Sequence, residues 1–328
     1  MDSSPHSKRY CFFTNDVETT SLWNHRLSDK TGEKVLKEGM PVLLELYLKY
    51  EVRATFFFTG YIAEKFPEVV RMVLPYGHEV GCHGMYHDAG QAFDVLNYQQ
   101  QVAHLQRAKG ILEDLTGQGI ISFRAPALRV NRFTPMALLQ TGFRIDSSVA
   151  PQRMDFFLSF GSREKIKWLV APRMPYFTDR YNLAKKGNSP LLEIQTSALL
   201  IPYAGTLMRI SPSLTKLLRS ILHLENRIFH HPVHFIIHPN ELIEEEIEVG
   251  TIARRAKSFL GYLFGDLIRY KLKLNNLGGP AIGLFEKQLQ YFHQRGYQAV
   301  SLREFCANVI DGHVSGKPLH ETNLQHID

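Results

Sequence analysis

The chain has 328 residues, 44% of them hydrophobic and 21% charged, with a formal net charge of +6. That balance excludes a disordered chain and leaves enough apolar material for one large α/β domain or two small ones. A modest positive charge with no basic–aromatic motif carries no nucleic-acid signature, so the basic residues read as solvated surface.

Cys11, Cys82 and Cys306 are scattered, without Cys-x-x-Cys spacing. This argues against a disulfide framework and fits a reducing compartment. Asp16 and Glu18 arrive before any apolar stretch long enough for a signal peptide. The longest uncharged run, 194–208, is too short to span a bilayer and is broken by Pro202 and Gly205. The expectation is a soluble, cytoplasmic protein.

In chain order, 1–9 is polar and reads as a flexible N-terminus. Residues 10–14 read as a buried strand that runs into an acidic loop carrying Asp16 and Glu18. A helix is expected over 35–50, a strand over 54–58, and helices over 62–74, 96–115 and 134–140. Short apolar runs at 79–82, 120–123, 143–145, 191–194 and 233–237 read as further strands. This alternation predicts a parallel sheet, open or closed into a barrel, with functional groups at the carboxyl ends of the strands. Asp16, His83, Arg124, Asp146 and His238 follow the runs at those ends.

Two stretches break the pattern. Residues 151–190 read as loop-rich, with Trp168, Pro172, Pro175 and Tyr176 walling a substrate cleft. Residues 241–279 read as a helical insertion that packs on the core, on a second subunit or on a membrane surface. Helix 285–295 and strand 297–302 then close a single domain over 10–310, followed by a polar tail, 311–328.

The most informative stretch is Gly77-His78-Glu79-Val80-Gly81-Cys82-His83-Gly84-Met85-Tyr86-His87. On a helical turn, His83 and His87 would share a face and could share a metal ion. Two histidines do not finish a divalent site, so further ligands must come from elsewhere. Cys82 would point away from His83 in an extended segment and is expected to pack in the core. His78 precedes its strand and is expected to be structural, whereas His25 reads as a surface residue.

Together these pieces resemble the polysaccharide deacetylase family, the NodB-homology group of carbohydrate esterase family 4. Four motifs carry the resemblance, in the family's order. They are Thr14-Asn15-Asp16-Val17-Glu18, His83-Gly84-Met85-Tyr86-His87, Arg124-Ala125-Pro126 and Phe235-Ile236-Ile237-His238-Pro239. The first departs from the common adjacent aspartates and is similar to the variant Asp-x-Glu branch. The fourth family motif, an Asp with a Trp, is matched only by Asp146-Ser147-Ser148 without the tryptophan.

The resemblance implies an irregular (β/α)7-type barrel and a metal-dependent hydrolase that removes an N-acetyl group from a carbohydrate or sugar-containing precursor. It implies one divalent ion, zinc or else cobalt, manganese or nickel, held by Glu18, His83 and His87. Asp16 would be the base, oriented by Arg124, and His238 the general acid. Exchange of the Asp16 and Glu18 roles stays open. Asp146 would orient His238, bind a sugar hydroxyl or merely close a turn, and Pro126 and Tyr176 would contact substrate. Two competing readings are a hydrolase of a non-sugar amide or cyclic ureide and a non-catalytic glycan-binding relative.

Overall fold

A computed structural model describes residues 8–21, 27–153, 163–244, 272 and 274–311. Most of the expected insertion, the end of the tail and His25 lie outside these residues.

The strands are β1 (Tyr10–Val17), β2 (Thr55–Phe58), β3 (Glu79–Cys82), β4 (Ser122–Phe123), β5 (Ile145–Asp146), β6 (Tyr176–Asp179), β7 (Asn182–Lys186), β8 (Leu192–Glu193), β9 (Ala198–Leu199), β10 (Ile201–Pro202), β11 (Val233–Ile237) and β12 (Gln298–Ala299). The main sheet runs β11-β1-β2-β3-β4-β5-β8-β6-β7, with β12 also on β1. Seven of its strands, from β11 round to β8, pair in parallel. The sheet curls back on itself. Between β8 and β11 the joint is irregular: Ser197 N donates to His234 O at 3.3 Å and His234 N donates to Ser197 Oγ at 2.9 Å. The expected irregular α/β barrel is therefore the fold.

The α-helices among the described residues are α1 (Asp29–Lys34), α2 (Met40–Lys49), α3 (Gly60–Lys65), α4 (Pro67–Arg71), α5 (Tyr98–Thr116), α6 (Thr134–Gln140), α7 (Gly205–Ile210), α8 (Pro212–Phe229), α9 (Gly279–His293) and α10 (Leu302–Phe305). The helix expected at 35–50 starts earlier, at Asp29, and passes through a π-helical turn at Val35–Gly39 before α2. The stretch read as loop contains the antiparallel hairpin β6–β7. Its polar second strand, Asn182–Lys186, gave no apolar run to announce it.

Strand alternation sends side chains to two different cores. Cys11, Phe13, Val17, Phe56, Phe58, Val80, Cys82 and Phe123 face the helices. Phe12, Phe57, Ile145, Leu192 and Ile194 face the barrel interior, where α10 contributes Leu302 and Phe305 as a plug. Phe305 meets Phe12 edge-on at 5.0 Å between ring centroids. Each such buried ring contributes roughly 1.5–3 kcal/mol. Buried Glu79 completes this floor by accepting hydrogen bonds from Thr55 Oγ1, Ser122 Oγ and Arg303 N.

Candidate active site

The floor closes one end of the barrel, and the other end gathers the polar residues. On β1 the inward residues are Phe12, Thr14 and Asp16. One residue separates Asp16 from Glu18, so an extended chain carries both acids toward the same side. Cys82 pairs with Phe58 and with Phe123, which sets His83 and Arg124 just beyond the ends of β3 and β4. Asn15 pairs with Ile237, so Asp16 lies level with His238.

His83 and His87 do come together, but not on a helix. They flank a loop that turns at Gly84, where φ is +72° and an added Cβ would crowd the Phe93 ring at 3.0 Å. The rings stack with centroids 5.8 Å apart. His104 supports this loop by accepting from Met85 N at 3.2 Å. Burial lowers the His104 pKa to about 4, which keeps that nitrogen free to accept.

His83 is fully buried, and its Nδ1 lies 2.8 Å from the carbonyl oxygen of Arg124. A carbonyl only accepts, so Nδ1 carries the proton and Nε2 bears the lone pair. That Nε2 is buried and has no hydrogen-bond partner among the described residues. Burial lowers the ring's pKa to about 3, so it is neutral at physiological pH. A neutral imidazole oriented by a backbone carbonyl is the form a metal ligand takes. His87 Nδ1 lies 3.3 Å from Glu18 Oε2. One donor atom from each of Glu18, His83 and His87 falls within 4.8 Å of the others. Two nitrogens and a carboxylate oxygen, with an orphaned lone pair among them, fit a divalent first-row ion.

Asp16 stands beside this cradle. Its Oδ1 accepts from Arg124 Nη1 at 2.8 Å, while its Oδ2 faces His83 Nε2 at 3.9 Å and His238 Nε2 at 3.8 Å. Burial pushes the Asp16 pKa up. Arg124, His83 and His238 outweigh that and hold the carboxyl well below the usual carboxylate range.

Arg124 is wholly buried and uses every N–H it has. Nε donates to Ser147 O, Nη1 to Thr14 Oγ1 and Asp16 Oδ1, and Nη2 to Ser147 Oγ and His234 Nε2. Its guanidinium also sits 4.4 Å over the Phe57 ring. The sequel Ala125-Pro126 turns through left-handed Ala127 (φ 51°) and Leu128 (φ 52°), unusual for residues with a Cβ.

Three expected contacts fall elsewhere. Asp146 does not face His238. Its neighbour Ile145 points into the barrel, so Asp146 points out, where it pairs with Glu193 and accepts from Ser148 Oγ at 2.7 Å. Burial, chiefly, raises the pKa of both carboxyls, Glu193 the more, and the pair therefore retains a proton. Tyr176 lies on the same outer side, buried, with its hydroxyl donating to Leu183 O at 2.6 Å. Pro126 is buried against Gly84 and backs the His83 loop instead of opening to a substrate.

The partner of His238 is Glu241, whose Oε1 lies 3.8 Å from His238 Nδ1. Glu241 is buried with Arg209 at 3.2 Å and accepts from Thr206 Oγ1 at 2.8 Å. Gly205 makes the room, since a Cβ there would fall 1.8 Å from Glu241 Oε2. His234 was also missed. It packs behind Arg124 with Nδ1 against Gln195 O, and the signal was present, because His234 and His238 share strand parity. Cys82 and His78 behave as expected: Cys82 lies in the outer core, and His78 Nδ1 accepts from Ala54 N at the far end of its strand.

Residues 29–145 match the family model described as polysaccharide deacetylase. The chain is 35% identical over 111 residues to a peptidoglycan deacetylase of Helicobacter pylori, covering 34% of this chain and 37% of that protein. A peptidoglycan deacetylase-like protein of Gibberella zeae is 32% identical over 98 residues, covering 30% and 28%. The match thus spans about a third of the length of these relatives. A crystal structure assigned to a polysaccharide deacetylase of Mycobacterium smegmatis superposes with a TM-score of 0.65 at 18% identity, over 98% of both chains. The Puue allantoinase structure reaches 0.57 at 14% identity over 93% of both, a likeness of fold. Within residues 29–145 the chain is similar to the polysaccharide deacetylase family, and over nearly its whole length it shares the fold of the Mycobacterium smegmatis structure. The matched segment contains His83, His87 and Arg124, whereas Asp16, Glu18 and His238 lie outside it.

Proposed function

We propose that the chain is a metal-dependent hydrolase that removes the N-acetyl group from a carbohydrate or sugar-containing precursor. The observation that carries this reading is the convergence of Glu18, His83 and His87 within 4.8 Å, beside an Asp16 that Arg124 holds ionised and His238 flanks. The sugar is suggested by the Helicobacter pylori relative, a peptidoglycan deacetylase.

Glu18, His83 and His87 would hold the ion, with zinc, cobalt, manganese and nickel all compatible with such donors. Such an ion would lower the pKa of a water and polarise the amide carbonyl. Asp16 is the base. Arg124 occupies Oδ1, so Oδ2 takes a proton as the water oxygen bonds to the carbonyl carbon. When the C–N bond breaks, its electron pair stays on nitrogen, and His238 Nε2 delivers a proton there. The products are acetate and a free amine. His238 and Asp16 lie 3.8 Å apart, close enough to exchange the proton that resets the site. Glu241 keeps the His238 ring aimed from behind.

Metal analysis of protein purified without chelator, together with acetate release from N-acetylglucosamine oligomers and peptidoglycan, tests this. The expected result is one ion per chain and turnover abolished in Asp16→Asn. Metal-free protein that releases no acetate would refute it. Opening of a cyclic ureide in place of acetate release would shift the reading to a non-sugar C–N bond, and glycan binding without turnover to a lectin-like role.

A further inference from the structure

Helix α8 carries a feature the active site does not use. Thr215, Leu218, Leu222 and Asn226 turn inward and are buried. On the open side lie Leu214, Leu217, Ile221, Leu224, Ile228 and Phe229, each between 39% and 59% exposed. The first five alternate spacings of three and four residues, which lines them into one stripe nearly the full length of the helix. Scattered single exposed apolar residues are ordinary, but a contiguous stripe marks an interaction surface.

The charges around the stripe select the partner. Among the described residues of α8, the exposed charged side chains are Lys216 and Arg227, both cationic. The helix's one acid, Glu225, is turned aside into a grip between Arg173 and His231. On the neighbouring α9, the Tyr291 ring takes Arg219 and also Arg295, which lies just past the end of that helix, and Lys287 is exposed nearby. A second copy of the chain fits poorly. Antiparallel self-pairing centred on Ile221 would set Lys216 of one copy against Arg227 of the other on the same flank, like charge to like. An apolar stripe bordered by basic side chains suits the boundary between acyl chains and anionic headgroups.

We propose that α8 is a membrane-surface helix that seats the protein on an anionic lipid bilayer, with the stripe in the headgroup–acyl boundary and Lys216 and Arg227 against lipid phosphates. The test is co-sedimentation of the full chain with vesicles of phosphatidylcholine alone or mixed with phosphatidylglycerol. Binding should require phosphatidylglycerol and weaken with salt. Leu217→Ser and Leu224→Ser should each lower the partition coefficient by roughly tenfold. The pair Lys216→Gln with Arg227→Gln should remove the dependence on anionic lipid. All these positions are exposed, so thermal melts should match the parent and confirm folding. Absence of binding, or binding indifferent to the two serine substitutions, would overturn the proposal. So would a concentration-dependent dimer in analytical ultracentrifugation that Leu217→Ser with Leu224→Ser dissolves, which would make the stripe a self-association seam.

Discussion

Arg124→Met is the most demanding test of the site's electrostatics. Methionine approximates the length of the arginine stem but removes all five N–H donors, and Asp16 stays 6% exposed with no cation directly on it. Breaking a buried ion pair by removing one partner costs about 3–5 kcal/mol. Whole domains are stable by about 5–15 kcal/mol, so the loss should be plain in urea denaturation at pH 7. Its pH dependence identifies the cause. Arg124 holds the Asp16 pKa low, and that contribution to stability is present above the ordinary carboxylate pKa and fades as pH falls. In the variant the main opposition to burial is gone and the Asp16 pKa moves upward, so the deficit should shrink in acid as Asp16 takes up a proton. Adding Asp16→Asn should restore part of the loss, because the carboxamide carries no charge to strand. Equal deficits at pH 7 and pH 4, with no recovery in the double variant, would refute the argument.

Other outcomes follow from the same geometry. Glu18→Gln and His87→Ala should each weaken zinc binding by at least tenfold in competition titrations, whereas Asp16→Asn should retain the ion and lose turnover; the reverse pattern would exchange the two acids' roles. The Asp146–Glu193 pair keeps a proton that the unfolded chain releases above about pH 4, so it contributes stability in acid that is lost as pH rises. Glu193→Gln should therefore flatten the stability–pH curve above that point, and an unchanged slope would count against a raised carboxyl there. Tyr176→Phe should cost about 1 kcal/mol, one hydrogen bond to Leu183 O, and leave acetate release intact; a large loss of activity would return Tyr176 to the substrate cleft.

Much of this architecture could be read directly from residue order. Glu79–Cys82 and Val233–Ile237 are fully buried runs, apolar but for Glu79 and His234, close to the pattern that buried parallel strands produce. What escaped was information that depends on side-chain direction. Asp146 is expected just past its strand, as Arg124 is, but it is the last residue of β5, paired with Phe123, and because Ile145 faces the barrel interior Asp146 faces the opposite side. Glu241 was invisible as a site residue because its importance comes from Arg209 and from the empty space at Gly205, both on a distant helix. The His83–His87 spacing suggested a helical turn, although a glycine-hinged loop produces the same approach.

The order of strands around the barrel also sets when the site can exist. Strand β1 finds its neighbours in β2 and in the two late strands β11 and β12. Phe12 is covered by Phe305, almost three hundred residues downstream. A ribosome that has released the chain through Arg124 has already supplied both histidines, both acids and the arginine, yet no barrel in which they can meet. Contacts this distant in sequence form slowly, since the intervening chain must first be ordered. Asp16 and His238 are therefore brought together only after β11 has been made and has paired with β1. A nascent chain cut short before β11 carries Glu18, His83 and His87 without the barrel that gathers them beside His238.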